Sequence, residues 1–429
     1  MSALGLSQGP AAAGLPRPRL RIGVAAGLSF ITLAALIFEA LFGPLSALLF
    51  LLAGCLLLVS KPAASVQAIF RFWYVLILPG FCLLSVLWSQ FPGLTLRYSM
   101  QFAITVVIAI GIATRISPTA FMRSLFSIYG LGIAGSLLFG RVRDDIGAWI
   151  GIFGSKNAFA AVICAFILAS IAMLFDRTAP RVMRFAALAG LAAAGPMLLK
   201  AQSTGAIVFV VPASALALAL LLSRRLTHGQ KLFLGALLLG LGLAMLILVL
   251  QYSEILFQNF LDASGKDVTL TGRTDLWQFA GQFIQEHPLL GLGYRAFWVQ
   301  GYPPAELLWA MFDIKARAGF NFHNTYVNNA VEIGLIGVGL QVLLLYGALV
   351  RAYIWAFRAP GPETAFFASF LTYIVCGSFV EVAVFFQFSI TSIIVICVFV
   401  YTVRAQMGAT KAPRRRPEQA LRPLQIGLS

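Results

Sequence analysis

Two side chains in one polar segment of this sequence, Arg273 and His323, have the chemistry to bind an anion and to move a proton. Arg273 stands just before a predicted helix start, where backbone N–H groups already favour an anion. Its guanidinium can donate two parallel hydrogen bonds to phosphate oxygens, which a lysine cannot do. His323 directly precedes a long apolar stretch, and a neutral imidazole there can take a proton from a hydroxyl near neutral pH. The two residues therefore indicate a pyrophosphate cradle and a candidate base.

Each residue also has a plainer interpretation that the local pattern leaves open. Arg273 could contact lipid headgroups at a membrane interface, and His323 could cap or hydrogen-bond its loop. Asp144 and Asp145 form an acidic pair, but no further ligands follow at workable spacing, so we expect a solvated turn and no metal site. Glu381 lies near the end of an apolar run, and an acid there is a functional candidate by default.

The segment 252–324, which holds Arg273 and His323, is a 73-residue interruption in an otherwise apolar chain. It contains seven of the fifteen acidic residues, five basic residues and two of the three histidines. Loops of this length are usually functional or disordered. Thr274 predicts a helix N-cap, and apolar residues then follow at helical spacing (Leu276, Phe279, Ala280, Phe283, Ile284) until Pro288, Gly291 and Gly293. We therefore expect a partly helical loop.

The elements that must hold this loop are membrane helices. The chain is 429 residues long, 60% hydrophobic and only 11% charged, whereas soluble domains carry about 25% charged residues. This excludes a soluble enzyme, a disordered hub and a disulfide-stapled domain. Apolar runs near the 20-residue length of a membrane span occur at 23–42, 44–59, 72–88, 98–114, 119–139, 157–175, 183–199, 204–222, 232–251, 326–350, 364–383 and 385–403.

The distribution of charge predicts which way the spans face. If the N-terminus is cytoplasmic, the cytoplasmic segments hold 21 basic and 3 acidic residues, and the external segments hold 10 basic and 12 acidic residues. This asymmetry follows the positive-inside rule, and it explains the net charge of +16 without nucleic acid as a partner. We expect an all-α polytopic membrane protein with about 12 transmembrane helices, both termini cytoplasmic, and one large external loop between helices 9 and 10. The predicted regions are a cytoplasmic tail (1–21), helices 1–9 (22–251), the loop carrying the site (252–324), helices 10–12 (325–403) and a basic cytoplasmic tail (404–429).

Four ordered motifs in and after the loop resemble one family. They read Gly272-Arg273-Thr274-Asp275-Leu276-Trp277, then Pro288-Leu289-Leu290-Gly291-Leu292-Gly293, then His323-Asn324, then Glu332-Ile333-Gly334-Leu335-Ile336-Gly337. The set is similar to the O-antigen ligase and Wzy-type O-antigen polymerase superfamily. An upstream Lys156-Asn157 resembles the exopolysaccharide-polymerase branch.

The resemblance implies a metal-independent glycosyltransferase in the bacterial inner membrane, with the loop in the periplasm and no cofactor. Its donor would be a glycan on undecaprenyl pyrophosphate and its acceptor another glycan; other export components are possible partners. His323 would act as base or orienter of the attacking hydroxyl, and Arg273 would bind the pyrophosphate. The family commonly carries an Arg or Lys after a serine at the end of an earlier span, but this sequence reads Lys200-Ala201-Gln202-Ser203. Lys200, Lys156 or Arg295 would replace it, and Asn157 and Asn324 are further candidates for substrate binding.

Three alternatives remain at this level. An O-antigen ligase joining the glycan to lipid A core would use the same residues as a polymerase. A secondary transporter would usually show repeat symmetry and a site at the membrane midplane, whereas the polar residues here concentrate in one loop. A lipid-scaffolding protein would not need Arg273 and His323 together.

Overall fold

A computed structural model describes residues 23–144, 146–227, 229–231, 233, 235–237, 240 and 268–411. The predicted ninth span, 232–251, therefore lies largely outside the described residues, as do Asp145, the first part of the external loop and both predicted tails except 404–411. The helices before the loop are α1 (Val24–Ile37), α2 (Glu39–Phe42), α3 (Pro44–Val59), α4 (Pro62–Arg71), α5 (Ile77–Leu84), α6 (Pro92–Arg115), α7 (Pro118–Phe139), α8 (Lys156–Phe175), α9 (Arg181–Lys200) and α10 (Thr204–Leu222). Those in and after the loop are α11 (Val268–Glu286), α12 (Pro303–Met311), α13 (Thr325–Arg358), α14 (Pro362–Gly377) and α15 (Ile390–Lys411).

Short elements complete the described part. Single 3₁₀ turns occur at Trp73–Leu76, Ser85–Leu87 and Ser223–Arg225. A small antiparallel hairpin pairs β1 (Arg141–Val142) with β2 (Trp149–Gly151) between α7 and α8. Helix starts follow local signals: Ser117 and Ser155 accept hydrogen bonds from backbone N–H groups three residues later, at the starts of α7 and α8.

Seven helices in the described residues are long and apolar enough to cross a membrane, which confirms an all-α polytopic membrane protein. Several predicted spans are nevertheless not single helices. The run 44–59 continues into α4 through a 99° bend, and the run 72–88 is α5 flanked by two 3₁₀ turns. The run 364–383 ends as a helix at Gly377. The count of twelve spans stays a prediction.

Two apolar cores hold the described parts together. The larger core lies within the helix bundle and includes fully buried Phe102, Phe121 and Phe159. The smaller core joins the described part of the external loop to the start of α13, around Leu276, Ala280 and other buried side chains (Leu292, Phe297, Ala305, Leu308, Trp309, Phe322, Val331). The helical face that the sequence predicts for 276–284 is therefore the buried face of α11.

The predicted span 326–350 is longer than expected and is interrupted. Helix α13 runs from Thr325 to Arg358, but Gly334 has φ 63° and ψ −176°, which breaks the helix. The turn at 288–293 packs into this break: the N–H groups of Leu335 and Ile336 donate to the carbonyls of Pro288 and Leu289 at 2.8 and 3.3 Å. In the other direction, the N–H groups of Leu292 and Gly293 donate to residues 331 and 332 at 2.9 and 2.8 Å.

Glycines make this contact possible. A Cβ on Gly334 would lie 2.2 Å from the carbonyl oxygen of Leu289, and a Cβ on Gly291 would lie 2.6 Å from the backbone of Glu332. Both glycines also have positive φ, a region that other residues occupy only at a cost. The two glycine motifs in the sequence are thus the two halves of one backbone contact, which fixes the start of α13 against the loop.

The end of the bundle opposite the start of α8 carries a different set of polar contacts. Asp176, just after α8, accepts hydrogen bonds from Arg123 at 2.7 and 2.9 Å. Burial alone would raise the pKa of Asp176, but the hydrogen bonds from Arg123 and Thr178 outweigh it and lower the pKa. A helix of 20 residues is about 30 Å long, so this ion pair is about one membrane thickness from Asn157 at the start of α8.

Candidate functional site

The carboxylate of Glu381 joins the two residues that the sequence singles out for chemistry. Its Oε1 lies 3.3 Å from the Arg273 guanidinium and its Oε2 lies 3.1 Å from Nδ1 of His323. The side chain of Asn157 donates to the same Oε1 at 3.0 Å. These four residues, Arg273, His323, Glu381 and Asn157, are called the carboxylate cluster below.

Helix α11 positions Arg273, although not as the sequence predicts. The helix begins at Val268, so Thr274 lies inside it and Arg273 lies more than a turn beyond its N-terminus. The prediction that a helix starts at Thr274, next to Arg273, is therefore wrong, whereas anion binding by Arg273 stays a prediction. No proline or helix-stopping pair stands between Val268 and Thr274, so nothing local prevents the helix from starting earlier. Arg273 instead points to the segment after α14, where it also donates to the carbonyl of Val380 at 2.9 Å.

His323 is held by the residues on either side of it. Its backbone has φ 47°, and its N–H donates to the side chain of Asn321 at 2.7 Å. Trp277 of α11 donates from its indole nitrogen to the carbonyl of Phe322 at 2.7 Å, and the ring of Phe320 makes an edge contact with the imidazole. These contacts fix the imidazole beside Arg273.

Glu381 reaches the cluster because residues 378–389 are not helical. The start of α13 holds this segment: the hydroxyl of Thr325 donates to the carbonyl of Glu381 at 2.8 Å, and the N–H of Thr325 donates to the carbonyl of Ser378 at 2.8 Å. The side-chain oxygen of Asn324 caps α13, and its amide donates to the carbonyl of Phe379 at 3.0 Å. The His-Asn-Thr motif therefore presents one side chain to the site and uses the next two to hold the segment that carries Glu381.

The other predicted binding residues lie at different distances from the cluster. Lys156 is the first residue of α8 and directly precedes Asn157. Ser203, at the start of α10, contacts Asn157 at 3.4 Å. Lys200 packs over the ring of Trp149 at 4.7 Å. Arg295 packs over the ring of Tyr98, and its backbone N–H donates to Glu332 at 3.0 Å. These contacts of Lys200 and Arg295 lie outside the carboxylate cluster.

Asn324 is held by the protein itself, and its role in binding substrate stays a prediction. It is 8% exposed, and both ends of its amide are engaged by backbone groups of the protein. Its observed contacts position the site, whereas the sequence suggested that it binds substrate.

The cluster is partly open. The side chains of Arg273, His323 and Glu381 are 23%, 26% and 35% exposed, so a ligand can reach them. An ionised carboxylate only accepts hydrogen bonds, so in the neutral form of the imidazole this contact makes Nδ1 the donor and leaves Nε2 as the acceptor. The arrangement can thus bind an anion at the guanidinium and accept a proton at Nε2.

Sequence reasoning marks Glu381 as a candidate acid but does not connect it to the site. Two signals stand in the sequence: an acid near the end of an apolar run, and the close spacing of the runs 364–383 and 385–403. Neither indicates that the acid meets Arg273 and His323, because those contacts depend on how α14 ends.

Comparison with known proteins shows what the chain is similar to. The O-antigen ligase family matches residues 197–342, which include Arg273, His323 and both glycine motifs. The chain is 35% identical over 277 residues to the exopolysaccharide production protein ExoQ of Rhizobium meliloti (strain 1021). That match covers 62% of this chain and 62% of the relative, less than two thirds of either. Residues 197–342 of this membrane protein are thus similar to the O-antigen ligase family, and a larger part of the chain is similar to an exopolysaccharide production protein.

Proposed function

We propose that this protein is a membrane glycosyltransferase that polymerises repeat units of an exopolysaccharide or O-antigen. It transfers a glycan from undecaprenyl pyrophosphate to a hydroxyl of another glycan, on the external face of the bacterial inner membrane. The observation that supports this most strongly is the carboxylate cluster: Arg273 and His323, from two separate motifs, meet on one carboxylate. The similarity to an exopolysaccharide production protein favours a polymerase.

In the proposed reaction, Arg273 binds the pyrophosphate of the donor. The acceptor hydroxyl attacks the anomeric carbon, and its proton passes to Nε2 of His323. A glycosidic C–O bond forms, the bond from the anomeric carbon to the phosphate oxygen breaks, and undecaprenyl pyrophosphate leaves. Arg273 stabilises the negative charge that develops on the leaving group.

The rate enhancements that these two groups can provide are large enough for the proposed reaction. General base catalysis contributes about 10²–10⁴-fold, and a positioned charge on a developing anion contributes about 10²–10³-fold. The leaving group is already a good one, so the proposed reaction uses no metal or cofactor.

A ligase that delivers finished glycan to lipid A core is the second candidate, and the description of the matching family as O-antigen ligase favours it. The two functions differ only in the acceptor. Analysis of surface glycans in a strain lacking this protein distinguishes them. Loss of high-mass polymer with survival of single units indicates the polymerase, whereas long chains accumulating on the lipid carrier indicate the ligase.

Complementation of that strain tests the site. We expect His323→Ala and Arg273→Ala each to abolish the polymer at normal protein levels. The matched controls are His287→Ala and Arg317→Ala, which change the same residue types in the same loop. Arg317 pairs with Glu306 at 3.2 Å, away from the carboxylate cluster, and both controls should restore polymer. Normal polymer in the His323→Ala and Arg273→Ala strains contradicts the proposed site.

A further inference from the structure

Glu381 holds two partners with opposite roles in the proposed reaction, one that binds the donor and one that accepts the proton. The contact from its Oε1 to Arg273 is 3.3 Å, longer than its contacts with Asn157 at 3.0 Å and His323 at 3.1 Å. The carboxylate therefore keeps two donors if it loses Arg273.

Arg273 can change partner without moving away. Its Nη1 donates to the carbonyl of Val380 at 2.9 Å, and only Nη2 contacts Glu381. A phosphate group offers several oxygens and receives parallel hydrogen bonds from a guanidinium. It also brings negative charge next to Glu381, and two anions within a few ångströms repel each other.

From these contacts we infer that Glu381 is a positioning residue that competes with the donor. The donor's pyrophosphate displaces the carboxylate from Arg273, and the carboxylate remains on Nδ1 of His323 and on Asn157. In that state it holds Nε2 of His323 towards the acceptor hydroxyl. The carboxylate already contacts Nδ1 at 3.1 Å without a donor, so it orients the base both before and after the donor binds. This inference rests on the proposed function.

One variant should change donor binding and turnover in opposite directions. Glu381→Gln removes the charge that competes for Arg273 and also removes the carboxylate that holds Nδ1. We expect the variant to bind donor more tightly, by about two- to fivefold, the range for loss of a partly exposed ion pair. We expect its kcat to fall at least about tenfold, with KM for the donor unchanged or lower. Glu381→Asp keeps the charge and should recover part of the lost kcat.

The binding experiment uses the full chain in lipid nanodiscs and undecaprenyl pyrophosphate without glycan as the probe. Glu306→Gln is the matched control, because Glu306 also pairs with an arginine but lies elsewhere in the loop. Its Kd and kcat should equal those of the unchanged protein. Arg273→Ala should weaken binding about tenfold or more.

Two results overturn the inference: unchanged or weaker probe binding by Glu381→Gln, or unchanged kcat in that variant. Failure of the proposed function looks different. In that case His323→Ala and Arg273→Ala retain activity, whatever Glu381→Gln does.

Discussion

Replacing Gly334 with alanine should separate the start of α13 from the loop that packs against it. Gly334 has φ 63° and ψ −176°, a backbone region that is essentially restricted to glycine and costs about 1–3 kcal/mol for other residues. The new Cβ would also lie 2.2 Å from the carbonyl oxygen of Leu289. A clash with backbone cannot be relieved by rotating a side chain, so full relief requires the turn at 288–293 to move.

The expected loss of stability follows from the contacts that the turn makes. Four backbone hydrogen bonds cross the interface between the turn and α13, and each contributes about 0.5–1.5 kcal/mol net. If the turn stays in place, the protein bears the backbone strain. If the turn moves, it loses most of the four hydrogen bonds. The two routes bracket a loss of about 1–6 kcal/mol in the free energy of unfolding for Gly334→Ala.

Gly339→Ala is the matched control on the same helix. No heavy atom lies within 4 Å of a Cβ built on Gly339, and alanine favours a helix over glycine by up to about 1 kcal/mol. Thermal unfolding of both variants in the same detergent, followed by intrinsic tryptophan fluorescence, compares them directly. Gly334→Ala should unfold at a clearly lower temperature and Gly339→Ala at the same or a higher one. Equal midpoints for the two variants would refute the assigned role of Gly334.

Two further predictions concern the far end of the bundle and the support of His323. The folded state lowers the pKa of Asp176, so the stability from its ion pair with Arg123 is present above the unfolded aspartate pKa of about 3.9 and is lost as pH falls below it. Asp176→Asn should lower the free energy of unfolding by about 1–3 kcal/mol at pH 7. The unfolding temperature of this variant should also decline less between pH 5 and pH 3 than that of the unchanged protein. An equal decline in the two proteins would contradict this. Trp277→Phe removes the hydrogen bond to the carbonyl of Phe322, and we expect a lower kcat with unchanged binding of undecaprenyl pyrophosphate. Full activity in Trp277→Phe would show that this bond does not position His323.

Local signals predict much of this structure. The lengths of the apolar runs predict most of the helices, and the helical spacing of apolar residues predicts the buried face of α11. Both signals depend only on residues that are close together in the sequence. The predicted span 326–350 begins within one residue of the observed start of α13 at Thr325. Arg273 and His323 stand out because their chemistry is unusual between membrane spans.

Other features depend on contacts between distant segments and were missed or mistaken. Thr274 has the right type for an N-cap, yet the helix begins at Val268. The break at Gly334 is stabilised by the turn at 288–293, and a glycine in a helical run does not by itself indicate a break. Glu381 joins the site only because α14 ends at Gly377 and the start of α13 binds the segment that follows. Arg295 packs on Tyr98, and its role in binding phosphate stays a prediction.

The most direct test of the account is glycan transfer by the purified protein in nanodiscs, with a glycan on undecaprenyl pyrophosphate as the only sugar substrate. Product length and released undecaprenyl pyrophosphate are measured together. We predict that the unchanged protein and His287→Ala form longer glycans and release the lipid in step, and that His323→Ala and Arg273→Ala are slower by at least about a hundredfold. Transfer at the normal rate by folded His323→Ala or Arg273→Ala would contradict the central claim.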